Sequence, residues 1–466
     1  MTASAIRSLT VLLIIAGVAS AQAPETEPLD ADERAAVVER TSQLLAERYV
    51  FLDVAEACGA HIRAQLEAGE FDDLSDPDAF AKTLTESLQS VSHDKHMRVR
   101  LHSPARARMQ QENPARAQAR ARDRRRQQNF GFERVERLEG NVGYVDMRYF
   151  SGSPQARATA TAAMNFLANA DAIIFDMRKN GGGNPDLIRY ISSYLFDEPT
   201  HLNSLYWRQG DTTQEFWTLD EVPGPRMADV PVFVLTSSST FSGAEEFSYN
   251  LQTRNRATLV GETTGGGANP GGEMPINQRF GIFIPTGRAI NPVTGTNWEG
   301  VGVVPEIAVA ADEAFDKALA MAQEAAEAHR KKAEAAADAL WTDLEEGHAK
   351  VERLIDQGRM QEAADVITDV VRAATEAGLL GEMDVNMLGY QLLSQGKPQL
   401  AFAVFKYNVE AYPESSNVFD SLGEAYMNDG QIDLAIRNYR KSLELDPGNS
   451  NAEKMIKQMQ DGSGAP

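Results

Sequence analysis

Between Phe130 and Val309 short apolar runs alternate with amphipathic stretches across glycine-rich turns, and this alternation constrains the fold more than any other feature of the chain. Gly143 to Tyr149, Ala172 to Met177, Val230 to Leu235, Ala257 to Val260 and Gly281 to Pro285 read as strands. Ala158 to Ala168, Pro185 to Leu195 and Gly243 to Gln252 read as helices between them. Parallel strands need a crossover connection, usually a helix, so residues 130–310 are expected to form an α/β core.

The flanks differ. Helical periodicity from Asp32 to about Glu70, and a second helix from Pro77 to Ser90 capped by Ser75 or Asp76, predict a small helical domain over residues 24–101. Residues 102–129 are arginine-rich, with eight arginines between Arg106 and Arg126 in a chain whose net charge is −22. Two readings stand for that stretch: a solvated helical insertion packed against acidic parts of the same molecule, or a lid or docking arm for an acidic partner. Ala310 to Leu344 reads as a long connecting helix, assigned to residues 311–345. Beyond it, over residues 346–462, Gly389, Gly396, Ala401, Phe405 and Pro413 recur 34 residues later as Gly423, Gly430, Ala435, Tyr439 and Pro447. That period resembles the tetratricopeptide pattern of paired helices, which stack into a concave surface for a peptide or a partner protein.

Arg7, the apolar run Leu9 to Ala19 and the small residues Ala19-Ser20-Ala21 have the form of an export signal over residues 1–23, cleaved after Ala21 or Ala23. A periplasmic or extracellular protein without stable membrane insertion is the corresponding expectation. The negative charge opposes nucleic-acid binding, the single cysteine, Cys58, cannot form an internal disulfide, and neither a metal nor another cofactor is implied.

Chemistry concentrates in four places. Ser242 stands where an apolar run ends in small hydroxylic residues and a helix begins; a hydroxyl there stands clear of the sheet, and the first helical N–H groups can receive an oxyanion. Asp176-Met-Arg-Lys-Asn-Gly-Gly-Gly183 follows another apolar run. Its glycines Gly181, Gly182 and Gly183 let the backbone turn sharply and expose N–H groups to a substrate, and an oxyanion hole is favoured over a phosphate cradle or a plain turn. His96, in Asp94-Lys-His-Met-Arg98, can act as the base, with His93 competing. Glu299, between Trp298 and Gly300, can orient that histidine or remain a surface carboxylate.

With these residues together, residues 30–310 resemble the tail-specific, or C-terminal processing, serine peptidases, in the branch that holds the tricorn core and interphotoreceptor retinoid-binding protein. The stretches Asp94-Lys-His96, Asp176 to Gly183, Thr240 to Glu246, Gly261 to Gly265 and Trp298 to Pro305 carry the resemblance. It implies a Clp protease/crotonase-type α/β core, Ser242 as nucleophile, His96 as base, Glu299 completing the relay, and an oxyanion hole from Gly243 and a glycine near Gly182. Members with a Ser/Lys dyad carry the lysine where this chain has Gly267, so the histidine mechanism is the one expected. Lys95 replaces the serine that links histidine to glutamate in the tricorn branch; Glu299 reaching His96 directly, or a bridge through Ser90, Ser92 or water, would restore the link, and a nearby lysine would favour neutral imidazole. The expected activity is that of an exported serine endopeptidase acting on peptides or unstructured protein tails by acyl-enzyme chemistry. Tyr206 and Trp207 are expected to line the substrate groove, and the repeats to recruit a partner protein. The rival is a non-catalytic protein binding a hydrophobic ligand or a peptide on the same core, as the retinoid-binding relatives do.

Overall fold

The computed structural model describes residues 27–102 and 114–461. The expected export signal and the first part of the arginine-rich stretch lie outside the described residues. The chain divides into two compact units, Met1–Arg330 and Lys331–Pro466, with the division inside the helix Ala314–Asp356. It falls earlier than the end of the connecting helix expected at Leu344.

The first unit is built on a six-stranded sheet in the order β12-β8-β7-β4-β3-β2, where β2 is Phe132–Leu138, β3 Val142–Met147, β4 Ala172–Asp176, β7 Val232–Thr236, β8 Ala257–Gly261 and β12 Ile307–Ala308. All neighbours are parallel except β2 on β3. Every residue of β4 and β7 is buried, so these central strands are unbroken apolar runs with no polar face. The helices Ala156–Phe166, Pro185–Ser192 and Gly243–Gln252 share one core cluster with one face of the sheet. On the other face Ala314, Ala318, Ala322 and Ala326 pack, at the four-residue spacing of a helix stripe, against Val142, Tyr144, Ile174 and Leu235. β5 (His201–Trp207) lies between β11 (Gly287–Ile290) and β6 (Thr212–Trp217) in a separate antiparallel sheet.

The N-terminal helices are Ala31–Arg48, Leu52–Glu67 and Pro77–Ser92, the last capped by Asp76, whose side chain accepts the Ala79 N–H. The single periodic stretch expected from Asp32 to Glu70 breaks at Tyr49-Val50-Phe51, where the Val50 N–H leaves the helix for the carbonyl of Pro285. Pro285 ends β10 (Phe280–Pro285), which pairs with β9 (Gly271–Pro275) and with β1 (Arg98–Leu101). Phe280, Ile282 and Ile284 join Phe71, Phe80, Leu84 and the buried Cys58 in one core. The N-terminal domain is therefore completed by a strand almost 200 residues downstream, which local periodicity cannot show.

The second unit is all-helical. Its helical pairs Glu382–Ser394 with Pro398–Ala411, and Ser416–Asn428 with Ile432–Leu445, reproduce the 34-residue period for a steric reason. A Cβ on Gly389 would sit 2.6 Å from the Phe405 ring, and one on Gly423 would sit 3.1 Å from the Tyr439 ring. Gly396 and Gly430 follow the first helix of each pair at φ 70° and 75°, a left-handed conformation that residues with a Cβ rarely adopt.

The expected architecture is the one observed: N-terminal helices, a mixed-sheet core and an all-α C-terminal region. Among the described residues no helix is long and apolar enough to cross a membrane.

Candidate functional site

Ser242 sits between β7 and the helix Gly243–Gln252 at φ 55°, ψ −121°, a region costly for any residue with a Cβ. The strain is held from two sides. The Ser242 N–H donates to the Glu245 carboxylate at 2.7 Å, the half of a capping box that fixes the entry of the chain into the helix. The hydroxyls before it secure the turn to the glycine loop: Thr240 Oγ1 donates to the Met177 carbonyl at 2.8 Å and Ser237 Oγ to the Arg178 carbonyl at 2.6 Å, while the Phe241 N–H reaches the Asn180 carbonyl at 3.1 Å.

The glycine loop is anchored at the end of β4. Asp176 accepts from Arg178 at 2.9 and 2.6 Å and from the Tyr144 hydroxyl at 2.8 Å, and Arg178 also donates to the carbonyl of Ala311. The Gly182 N–H is already donated to the Asn180 side chain at 2.9 Å. Phe150 pairs with the Gly182 carbonyl and the Asn184 N–H, which turns the Gly183 N–H to the opposite side. A Cβ placed on Gly243 would lie 2.9 Å from the Gly183 nitrogen. Among the described residues the N–H groups of Gly183 and Gly243 have no acceptor. Gly181 is exposed, with its N–H on the Arg148 carbonyl.

His96 stands beside this turn. Its ring is 4.6 Å from that of Phe241, the residue before Ser242, and stacks on Phe283 at 5.7 Å. Its Cε1 would be 2.7 Å from a Cβ at Gly267, so the glycine that replaces a dyad lysine leaves room for the imidazole. The competing His93 is exposed and ends its helix at φ 55°. Ser90 is committed to the Ser87 carbonyl, Ser92 accepts the Asp94 N–H, and Lys95 reaches away to the Gly265 carbonyl at 2.6 Å. None of the three bridges to Glu299.

Asp94, His96 and Glu299 instead form one cluster, with a ligand atom from each within 4.8 Å of the others. Asp94 is fully buried; its oxygens accept the His96 N–H at 3.0 Å, the Asn269 amide at 3.0 Å and the Tyr49 hydroxyl at 3.2 Å. One oxygen of Glu299 accepts the backbone N–H groups of Ala268 and Asn269. His96 Nδ1 and Glu299 Oε1 are left buried without a hydrogen bond. Nδ1 is 3.8 Å from Asp94 Oδ1, beyond hydrogen-bond range. These three residues are also the group that could hold a metal ion among the described residues, but most of the lone pairs of Asp94 are spent on donors.

Burial, with the charge of Arg98, pushes the His96 imidazole down to about 4, so the ring is neutral at pH 7. Arg98, rather than Lys95, supplies the like charge expected from the sequence. Burial and the charge of Asp94 push Glu299 up to about 8, against the two backbone N–H groups that favour its charged form. A carboxyl raised in the folded state holds its proton more tightly there than in the unfolded chain, so its contribution to stability is present at low pH and lost as pH climbs from about 4.5 to about 8. Glu299→Gln removes that titration. The difference in Tm between this variant and the wild type should grow in the variant's favour by on the order of 4 °C between pH 5 and pH 9; parallel Tm curves would show that the carboxyl is not perturbed.

Among the described residues no hydrogen bond or ring contact joins Tyr206 or Trp207 to Ser242. The Tyr206 hydroxyl is held by Asp211 at 3.0 Å and its ring lies under the Arg288 guanidinium at 5.3 Å. Trp207 packs on the main core beside Gly287. Sequence reasoning missed Asp94 and Glu245. Glu245 is fully buried, and besides Ser242 it accepts from Gly266 and Gly267 N–H and the Thr264 hydroxyl, tying the serine turn to the loop against His96. The Ser-x-x-Glu spacing of a capping box was the signal for it.

Residues 141–309 match peptidase family S41, and residues 31–129 match the N-terminal domain of that peptidase in eukaryotic IRBP. The chain is 23% identical over 177 residues to a carboxy-terminal-processing protease of Bartonella bacilliformis, covering 37% of this chain and 40% of the relative. It is 30% identical over 152 residues to a carboxyl-terminal-processing protease of Synechocystis sp., covering 33% and 34%. Its matches thus span well under half the length of these relatives. Among solved structures, the photosystem II D1 C-terminal processing protease is similar with a TM-score of 0.39 at 14% identity, over 60% of this chain and 93% of that one. Residues 31–129 and 141–309 thus carry the N-terminal domain and the core of an S41 peptidase.

Proposed function

We propose that this protein is an exported serine endopeptidase that cleaves peptides or unstructured protein tails through an acyl-enzyme. The observation that carries the reading is the pair of buried, unpartnered atoms His96 Nδ1 and Glu299 Oε1, set in one cluster beside the strained turn of Ser242. With Nδ1 turned toward the carboxyls, Nε2 takes the Ser242 proton as Oγ attacks the substrate carbonyl. Glu299, where it is ionised above about pH 8, accepts the Nδ1 proton's hydrogen bond and offsets the imidazolium charge. The N–H groups of Gly243 and Gly183 receive the oxyanion; Gly183 takes the place expected for Gly182, whose N–H is committed to Asn180. His96 then returns the proton to the leaving amine, and water releases the acyl group by the reverse sequence.

Export rests on the form of residues 1–23, and cleavage near carboxyl ends on the names of the relatives. The 34-residue repeats would recruit a partner protein or the substrate. A serine-directed fluorophosphonate should label the wild type at one site and leave Ser242→Ala unlabelled. A wild type that forms no adduct returns the chain to the non-catalytic binding reading.

A further inference from the structure

Resting on the peptidase reading, we propose that the arginine-bearing helix Pro114–Gln127 forms a cationic subsite that selects acidic segments of the peptide substrate. This helix carries Arg116, Arg120, Arg122, Arg124, Arg125 and Arg126 against one acid, Asp123. Arginines at 116 and 120, 120 and 124, and 122 and 126 stand four apart, where like charges repel across one turn. From Ala115 to Gln127 no side chain of the helix is buried, so no buried contact there offsets that repulsion. Among the described residues Arg122, Arg124, Arg125 and Arg126 have no carboxylate partner, and packing against acidic parts of the molecule does not account for them. An external polyanion would remove the repulsion.

The placement relates this charge to the site. A cleft of about 610 Å³ is lined by Arg120, Ala121, Arg124, Arg125, Gln128 and Tyr149. Burial pushes the Tyr149 hydroxyl up and the charge of Arg125 pulls it down, as a guanidinium near that ring would. The Tyr149 hydroxyl donates to Gln128, and the neighbouring Arg148 carbonyl accepts the Gly181 N–H. Phe150 is the residue that pairs with Gly182 and Asn184. Tyr149 of the cleft is thus the chain neighbour of both residues that hold the glycine loop, which relates the cleft to that loop. On a protein of net charge −22, a local cationic cleft decides which acidic peptides overcome the general repulsion.

The experiment uses two fluorogenic peptides that differ only in flanking Asp/Glu against Asn/Gln, with the full-length protein, at 20 and 300 mM salt. The wild type should prefer the acidic peptide in kcat/KM by about tenfold at low salt, and Arg124→Gln/Arg125→Gln should bring the ratio to near one. Equal cleavage of the two peptides by the wild type, or a preference that survives the double substitution, overturns the proposal. Fluorescence anisotropy of the same peptides on Ser242→Ala separates this from the peptidase reading: acidic-peptide affinity that depends on the arginines stands even if no peptide is cut. Arginine-dependent capture of anionic vesicles without acidic-peptide binding would make the surface a lipid contact and also overturn it.

Discussion

Ser242→Ala and His96→Ala should each lower kcat/KM on a cleaved peptide by about 10⁴- to 10⁶-fold, and the double variant should be no worse than either alone. The two groups act on a single proton: without the hydroxyl the imidazole has nothing to deprotonate, and without the imidazole the hydroxyl stays a weak nucleophile. The residual rate comes from the oxyanion donors and substrate binding, which neither substitution touches. Steady-state kinetics of the three variants decides it. Losses that multiply in the double variant would mean that Ser242 and His96 do not share a step, and the assigned relay would fall.

Gly182→Ala should cost about 10²- to 10³-fold in kcat/KM while the protein stays folded. Gly182 has φ 99°, and an added Cβ would lie 2.6 Å from the Gly243 nitrogen, 2.7 Å from the Phe241 carbonyl oxygen and 2.9 Å from Ser242 Cβ. All three atoms belong to the turn that carries the nucleophile, and none is the free end of a flexible chain. The turn must therefore move, and displacing a nucleophile and its oxyanion donors by a fraction of an ångström is enough to spoil the attack geometry. Gly272→Ala is the control, because a Cβ there meets nothing within 4 Å. Circular dichroism and thermal melting separate misfolding from misplacement. Wild-type kinetics in a folded Gly182→Ala protein would show that the glycine loop plays no part in the chemistry.

What the sequence made legible follows from range. The helix at Gly243–Gln252 is found where its pattern put it, and β4, β7 and β8 lie within two residues of their apolar runs, because buried parallel strands leave an unbroken apolar signature. Ser242, Gly183 and Gly243 could be singled out because a strand-to-helix turn is a local event. The partners of His96 could not. Asp94 lies two residues away, yet its role depends on Asn269 and Tyr49, which come from distant segments. β6 and β9 were missed because they are largely exposed, and β5 because the polar Asn203 and Ser204 are buried within it. Tyr206 and Trp207 lie in β5, whose sheet partners β11 and β6 the local pattern could not name.

β10 gives the molecule an order of assembly. The segment carrying His96 is held in place by a strand that a ribosome delivers roughly 180 residues later, and Glu299 follows after it. On the proposed assignment, an elongating polypeptide presents Ser242 before the strand that steadies His96 has been made.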